Sequence, residues 1–165
     1  MHDAAATDRA PEDVREYPRP PRVEAITDRV RIWLGDDVIV DTTDVVRVLE
    51  TWHPPTIYVP RAAFAPTCIA GSAHRSTMCE WKGAAQYVDL LGSDGTAYLA
   101  AGWSYAEPRP GFEALAGRVA IYPGRVSRAE LAGERVEPQP GDFYGGWKTS
   151  WINGPIKGGP GTWGW

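Results

Sequence analysis

The stretch QYVDLLGSDGTAYLAAGWSY, Gln86 to Tyr105, decides the fold. Its centre, Gly92-Ser93-Asp94-Gly95, is turn chemistry: glycine reaches positive φ freely, and aspartate bonds its own backbone. On either side, Gln86 to Leu90 and Tyr98 to Tyr105 carry the aromatic and branched residues that suit a pleated, half-buried surface. The reading is two strands joined by a tight turn.

Working outward, the same grammar repeats. Val30, Ile32 and Leu34 alternate with Arg29, Arg31 and Trp33, the period of a half-buried strand. Gly35-Asp36-Asp37 turns the chain, and Val38 to Val40 returns as the partner. Arg22 to Ile26, Thr56 to Val59 and Arg118 to Tyr122 read as further strands, with Glu134 to Val136 closing the sheet. Asp41-Thr42-Thr43-Asp44 offers helix N-caps before Val45, Val46, Val48 and Leu49, whose spacing predicts one short helix ended by His53-Pro54-Pro55. A helical turn is expected over Pro110 to Ala116, and irregular chain over Arg61 to His74. Eighteen glycines and fifteen prolines agree with a mainly β chain of short strands.

Three segments are expected. Residues 1–21 are polar and Pro-rich and read as a flexible or surface-hugging arm without regular elements. Residues 22–137 form the β domain. Residues 138–165 form a Gly/Trp-rich extension: the last 25 residues hold eight glycines and four tryptophans, and so many aromatics predict packing onto the body.

The 165 residues suit one domain, and 43% hydrophobic residues suffice for a core. A net charge of −4 argues against nucleic acid and a polybasic membrane anchor. No apolar run approaches the ~20 residues of a membrane helix, and the N-terminus lacks a signal-peptide core. A cytoplasmic location is expected. Cys68 and Cys79 then read as free thiols. Two cysteines and the unpatterned His2, His53 and His74 supply no metal site, and no cofactor is expected.

Two segments, RVLETWHPPTIYVPRAAF (Arg47 to Phe64) and STMCEWKGAAQYVDL (Ser76 to Leu90), carry a family resemblance. With AGWSYAEP (Ala101 to Pro108) and GRVAIYPGRV (Gly117 to Val126), they resemble the bacterial domain-of-unknown-function 427 (DUF427) pattern, over about Arg22 to Val136. The resemblance implies a compact, single-domain, barrel-like or tent-like antiparallel sheet with one or two short helices. That family has carried a nucleotidyltransferase-type label. Yet this chain shows no glycine-rich phosphate loop and no carboxylate pair spaced for two metals.

The most chemically loaded stretch is Thr77-x-Cys79-x-x-Lys82-Gly83. Lys82 beside Cys79 favours a nucleophilic thiolate if the two share a face: on a strand they diverge, on a turn they meet. The competing reading makes Cys79 a small buried hydrophobe and Lys82 a surface charge. Lys82 also suits an aromatic pocket of Trp81, Tyr87, Trp103 and Tyr105, as a Schiff-base amine or an anion anchor, against a structural ion pair with Glu50. Glu50 and His53 read either as a base and its orienting group, or as a carboxylate paired with Arg47 or Arg61 and a solvated imidazole. Tyr58 and Arg61 frame a strand end, Arg61 suiting a carboxylate or phosphate or else pairing with Glu50 or Asp44. His74-Arg75-Ser76 reads as a loop that closes over a ligand or merely connects. Trp147, Trp151, Trp163 and Trp165, with Lys148 and Lys157, either form a binding face or seal the body.

Two functions follow. The first is a small-molecule-binding protein or enzyme for a polar or anionic molecule, with Cys79, Lys82 and Glu50 as catalytic candidates and Arg61, Tyr58, His53, Thr77, Trp81, Trp103 and Tyr105 as ligand contacts. The second is a non-catalytic interaction module whose tail mediates homo-oligomerisation. A tail packed over a cleft favours the first.

Overall fold

The computed structural model describes residues 9–73, 76–79, 81–141, 143–162 and 164–165. The first eight residues of the arm, His74 and Arg75 of the expected loop, and Trp163 of the tail lie outside them. In chain order the strands are β1 (Glu12–Asp13), β2 (Arg22–Ile26), β3 (Val30–Leu34), β4 (Asp37–Thr42), β5 (Val45–Leu49), β6 (Thr56–Pro60), β7 (Ile69–Gly71) and β8 (Thr77–Cys79). They continue as β9 (Gly83–Leu91), β10 (Ala97–Ser104), β11 (Arg118–Ile121), β12 (Arg128–Leu131), β13 (Glu134–Arg135), β14 (Glu137–Pro138), β15 (Trp147–Lys148) and β16 (Ile152–Asn153).

The larger sheet runs β2-β5-β6-β11-β10-β9-β7, with β8 also on β9; the smaller runs β13-β12-β3-β4. Both are antiparallel, and neither closes into a barrel. The main core lies between them: Ile32 and Val40 from one sheet meet Leu49, Ile57, Val88 and Ile121 from the other. A second cluster, including Val46, Tyr58, Trp103 and Tyr122, covers the far face of the larger sheet. Central strands of that sheet are therefore buried on both faces, whereas β3 shows the one-sided alternation expected of it.

This explains the first correction. Val45, Val46, Val48 and Leu49 form strand β5, not a helix. Val45 and Leu49 face the main core, and Val46 and Val48 face the second cluster. A doubly buried strand has no period-2 signature and imitates a helical stripe. The helices are single 3-10 turns, one of them at Glu113–Leu115 within the expected stretch. Residues 61–73 of the stretch expected to be irregular hold a 3-10 turn at Arg61–Ala63 and strand β7. Strand β12 was not expected either.

The N-terminal arm is a second correction, since its described part has regular elements. β1 pairs in parallel with β16, and a 3-10 turn follows at Val14–Glu16. Val14 and Tyr17 are buried in the main core, and Arg47 holds Glu12 at 3.0 Å and Glu24 at 2.7 Å.

The deciding hairpin contains a bulge. Tyr98 pairs with Leu90 and Gly102 with Val88, so Leu99, Ala100 and Ala101 occupy the place opposite Asp89. Ala100 sits at φ 47°, its N–H donating to Asp89 Oδ1 at 2.7 Å and its carbonyl accepting from Arg125 at 2.8 Å. Removing that acceptor in Asp89→Ala is expected to cost about 1–2 kcal/mol in urea denaturation, with Asp89→Asn close to wild type. Equal midpoints for Asp89→Ala and wild type would mean the bulge needs no such clamp.

Candidate functional site

One row of residues runs beneath a cavity, and its Trp103 and Tyr87 form part of the floor. Val46, Tyr58, Ala120, Trp103 and Tyr87, from β5, β6, β11, β10 and β9, are successive register partners. Paired residues project from the same face of a sheet. Trp103 stands 4.6 Å from Tyr122, ring centre to ring centre. Strands β10 and β11 come unusually close here: a Cβ on Gly102 would lie 2.4 Å from the Ala120 carbonyl oxygen, so only glycine fits.

The cavity over this floor measures about 340 Å³ and is lined by Trp103, Tyr105, Tyr87, Trp81, Thr77 and Met78, among others. Thr77 Oγ1 and the Tyr87 hydroxyl lie 3.3 Å apart. Cys79 pairs with Gly83 across the β8–β9 hairpin, so Lys82 falls on the reversal between them. The turn geometry therefore prevails, and Cys79 and Lys82 line the same cavity. Cys68 and Cys79 are free thiols, Cys68 in the core.

Lys82 is only 9% exposed, and its Nζ lies 5.9 Å from the Tyr105 ring centre. The surface-charge reading is thus corrected. No carboxylate is within ion-pair distance of it among the described residues; Glu50 instead lies 3.5 Å from Arg19 and 3.5 Å from His53. Burial works against the ammonium, the Tyr58 hydroxyl, Cys79 thiol and Glu50 carboxylate work for it, and the balance lies above the ordinary lysine value. A lysine kept charged suits an anion anchor better than a Schiff-base amine. Burial, then Tyr58 and Cys79, push Tyr105 far up, so it remains a neutral phenol. The Tyr58 hydroxyl, fully buried behind these groups, completes no well-formed hydrogen bond.

His53 is buried, not solvated, at 8% exposure. Its proton can be placed. Gln139 Oε1 accepts the Gly146 N–H at 3.1 Å, so Gln139 Nε2 is the donor to the Lys157 carbonyl at 2.8 Å and to His53 Nδ1 at 2.9 Å. The neutral imidazole then carries hydrogen on Nε2, toward Glu50. Burial first, then the charges of Lys157 and Arg19, lower the His53 pKa to about 4.

Three expectations fail. Tyr58, expected as a ligand contact, is fully buried and does not line the cavity. Arg61 is exposed on the turn after β6 and does not line the cavity. Glu50 pairs with neither Arg47 nor Arg61, and Asp44 is taken by Arg118 at 2.7 Å. Sequence reasoning missed Tyr122, Gln139, Tyr144 and Gly145. Gln139 stands alone between two prolines and carries no local signal.

The tail supplies a whole wall of the cavity: Gln139, Phe143, Tyr144, Gly145 and Lys157. Gly145 lies flat on Trp103, where a Cβ would approach ring carbon Cη2 to 2.4 Å. Trp147 and Trp151 are buried in the main core, while Trp165 remains exposed.

No helix among the described residues is long and apolar enough to cross a membrane. No curated protein matches the chain. Residues 22–131, a span that includes Glu50, His53, Lys82, Trp103 and Tyr122 of the cavity, match the family model described as a domain of unknown function (DUF427), and the chain belongs to that family.

Proposed function

We propose that the protein binds a small anionic molecule in the aromatic cavity, with Lys82 as its charged anchor. One observation carries this reading: a buried lysine lines a cavity and has no carboxylate partner within ion-pair distance among the described residues. A buried charge is costly unless paired, and an incoming anion would pair it. The volume falls within the range of small-molecule sites, and aromatic rings share the walls with polar groups that include Lys82, Glu50, His53 and Thr77. Cys79 and Glu50, which line the same space, are the groups that would act on such a molecule if the protein is a catalyst.

The tail packed against the cavity supports this reading over an interaction module, because Trp147 and Trp151 turn inward. Among the described residues, the exposed Phe143 and Trp165 are the tail aromatics left for oligomer contacts. The free thiols Cys68 and Cys79 support a cytoplasmic location.

The test is thermal unfolding against a panel of small organic and inorganic anions, repeated with Lys82→Met. At about 100 times its Kd a true ligand adds about 2.7 kcal/mol, which for a chain of this size is roughly a 5–10 °C rise in Tm. That rise should vanish in Lys82→Met. If no anion gives a Lys82-dependent shift, the reading fails.

A further inference from the structure

Resting on that reading, we infer that the ligand is a planar, aromatic monocarboxylate, its carboxylate on Lys82 and its ring against Trp103 and Tyr105.

The charge class follows from counting deep donors. Phosphate dianions are held by several convergent donors, such as arginine forks, helix N-termini or successive backbone N–H groups. Here one buried ammonium, that of Lys82, lines the cavity, and Lys157, the other lysine of the lining, is half-exposed. The other nearby cations already have partners: Lys157 donates to the Trp165 carbonyl at 3.2 Å, and Arg19 reaches Glu50 and the Thr51 carbonyl. Arg61 lies outside the cavity. A dianion would keep one charge uncompensated among aromatic rings, whereas a monocarboxylate matches one ammonium.

The body of the ligand follows from the walls. Trp103, Tyr87 and Tyr122 belong to the sheet face, Tyr105 follows β10, and Tyr144 closes the opposite side from the tail. Aromatic rings thus contribute a large part of the lining, with Trp103 and Tyr87 held by sheet register. Gly145 pressed on Trp103 and the Trp103–Tyr122 packing keep those rings fixed. Fixed rings reward a flat π-system through offset stacking and edge contacts more than a puckered aliphatic of equal size.

The experiment is titration calorimetry with four probes: benzoate, cyclohexanecarboxylate, benzyl alcohol and phenyl phosphate. Each is measured on the wild type and on Lys82→Met. Benzoate should bind tightest. Benzyl alcohol, with the ring but no charge, should be at least about tenfold weaker. Cyclohexanecarboxylate, with the charge but no π-face, should be about three- to tenfold weaker. Lys82→Met should weaken benzoate at least about tenfold and leave benzyl alcohol unchanged.

The wild-type ranking alone decides the class, so the test survives a variant that folds poorly. Cyclohexanecarboxylate or phenyl phosphate binding as tightly as benzoate, in a Lys82-dependent way, would overturn the aromatic monocarboxylate and spare the anion site. Benzyl alcohol equal to benzoate would overturn the inference through its charge. Loss of Lys82 dependence for every anion would overturn both.

Discussion

Trp147→Ala is expected to lower stability by about 4 kcal/mol, the largest effect of any substitution considered for this protein. Trp147 is 1% exposed, its indole N–H donates to the Ile121 carbonyl at 2.9 Å, and its backbone N–H donates to the Pro55 carbonyl at 2.8 Å. Truncation would open a ring-sized cavity between the sheets and strip a buried carbonyl of its donor. Trp147→Phe separates the two losses: it keeps most of the volume and should cost about 1–2 kcal/mol. Urea denaturation followed by far-ultraviolet circular dichroism gives both numbers. A loss below about 1 kcal/mol for the alanine variant would mean the tail merely rests on the body. The expected loss instead makes residues beyond the matched family span part of the core itself.

The second large effect is acid destabilisation centred on His53. Its folded pKa, about 4, lies below the ordinary 6.5. As pH falls through 6.5 the unfolded chain takes up a proton that the folded chain refuses. The contribution of neutral His53 is therefore complete above about pH 6.5 and is lost on descent to about pH 4, a total of about 3 kcal/mol. Burial is the first cause, and Lys157, Arg19 and Lys82 repel a further positive charge; Gln139 faces Nδ1 at 2.9 Å and Tyr144 stands 4.9 Å away, ring centre to ring centre. Glu50 is the opposing group, 3.5 Å from Nε2. Stability measured in urea between pH 7 and 4.5 should fall more steeply for the wild type than for His53→Asn. Parallel slopes would show that His53 titrates normally, and the assigned tautomer would lose its support.

Much of the fold was legible because turns and alternation are local. Gly92 to Gly95 and Gly35 to Asp37 announced their hairpins, and β3 alternates visibly. β5 misled because its two faces are both buried, so the pattern that separates strand from helix was erased. Strand β12 was missed because Arg128 and Glu130 break its apolar run; Glu130 is buried only because Arg31, at 2.9 Å, and Arg128 both pair with it. Lys82, Trp81, Trp103 and Tyr105 were legible as a site through residue type. Their meeting place was not, since it depends on the register that aligns Tyr87, Trp103, Ala120 and Tyr58. The wall from Gln139 to Lys157 was invisible for a similar reason: its hydrogen bonds go to His53, Trp52 and Pro55, far away in sequence.

The parallel pairing of Glu12 with Ile152 bears on how the chain reaches its native state. It joins segments almost the full described length apart, and such closures are slow because the loop entropy is lost before any contact compensates. During synthesis the strands that supply Lys82 and Trp103 emerge well before Gln139, Tyr144 and Lys157. A nascent chain therefore has the floor of the cavity without its wall. Ligand capture and final closure become late events of one assembly step, and a chain stalled short of residue 139 would present its aromatic floor to chaperones instead.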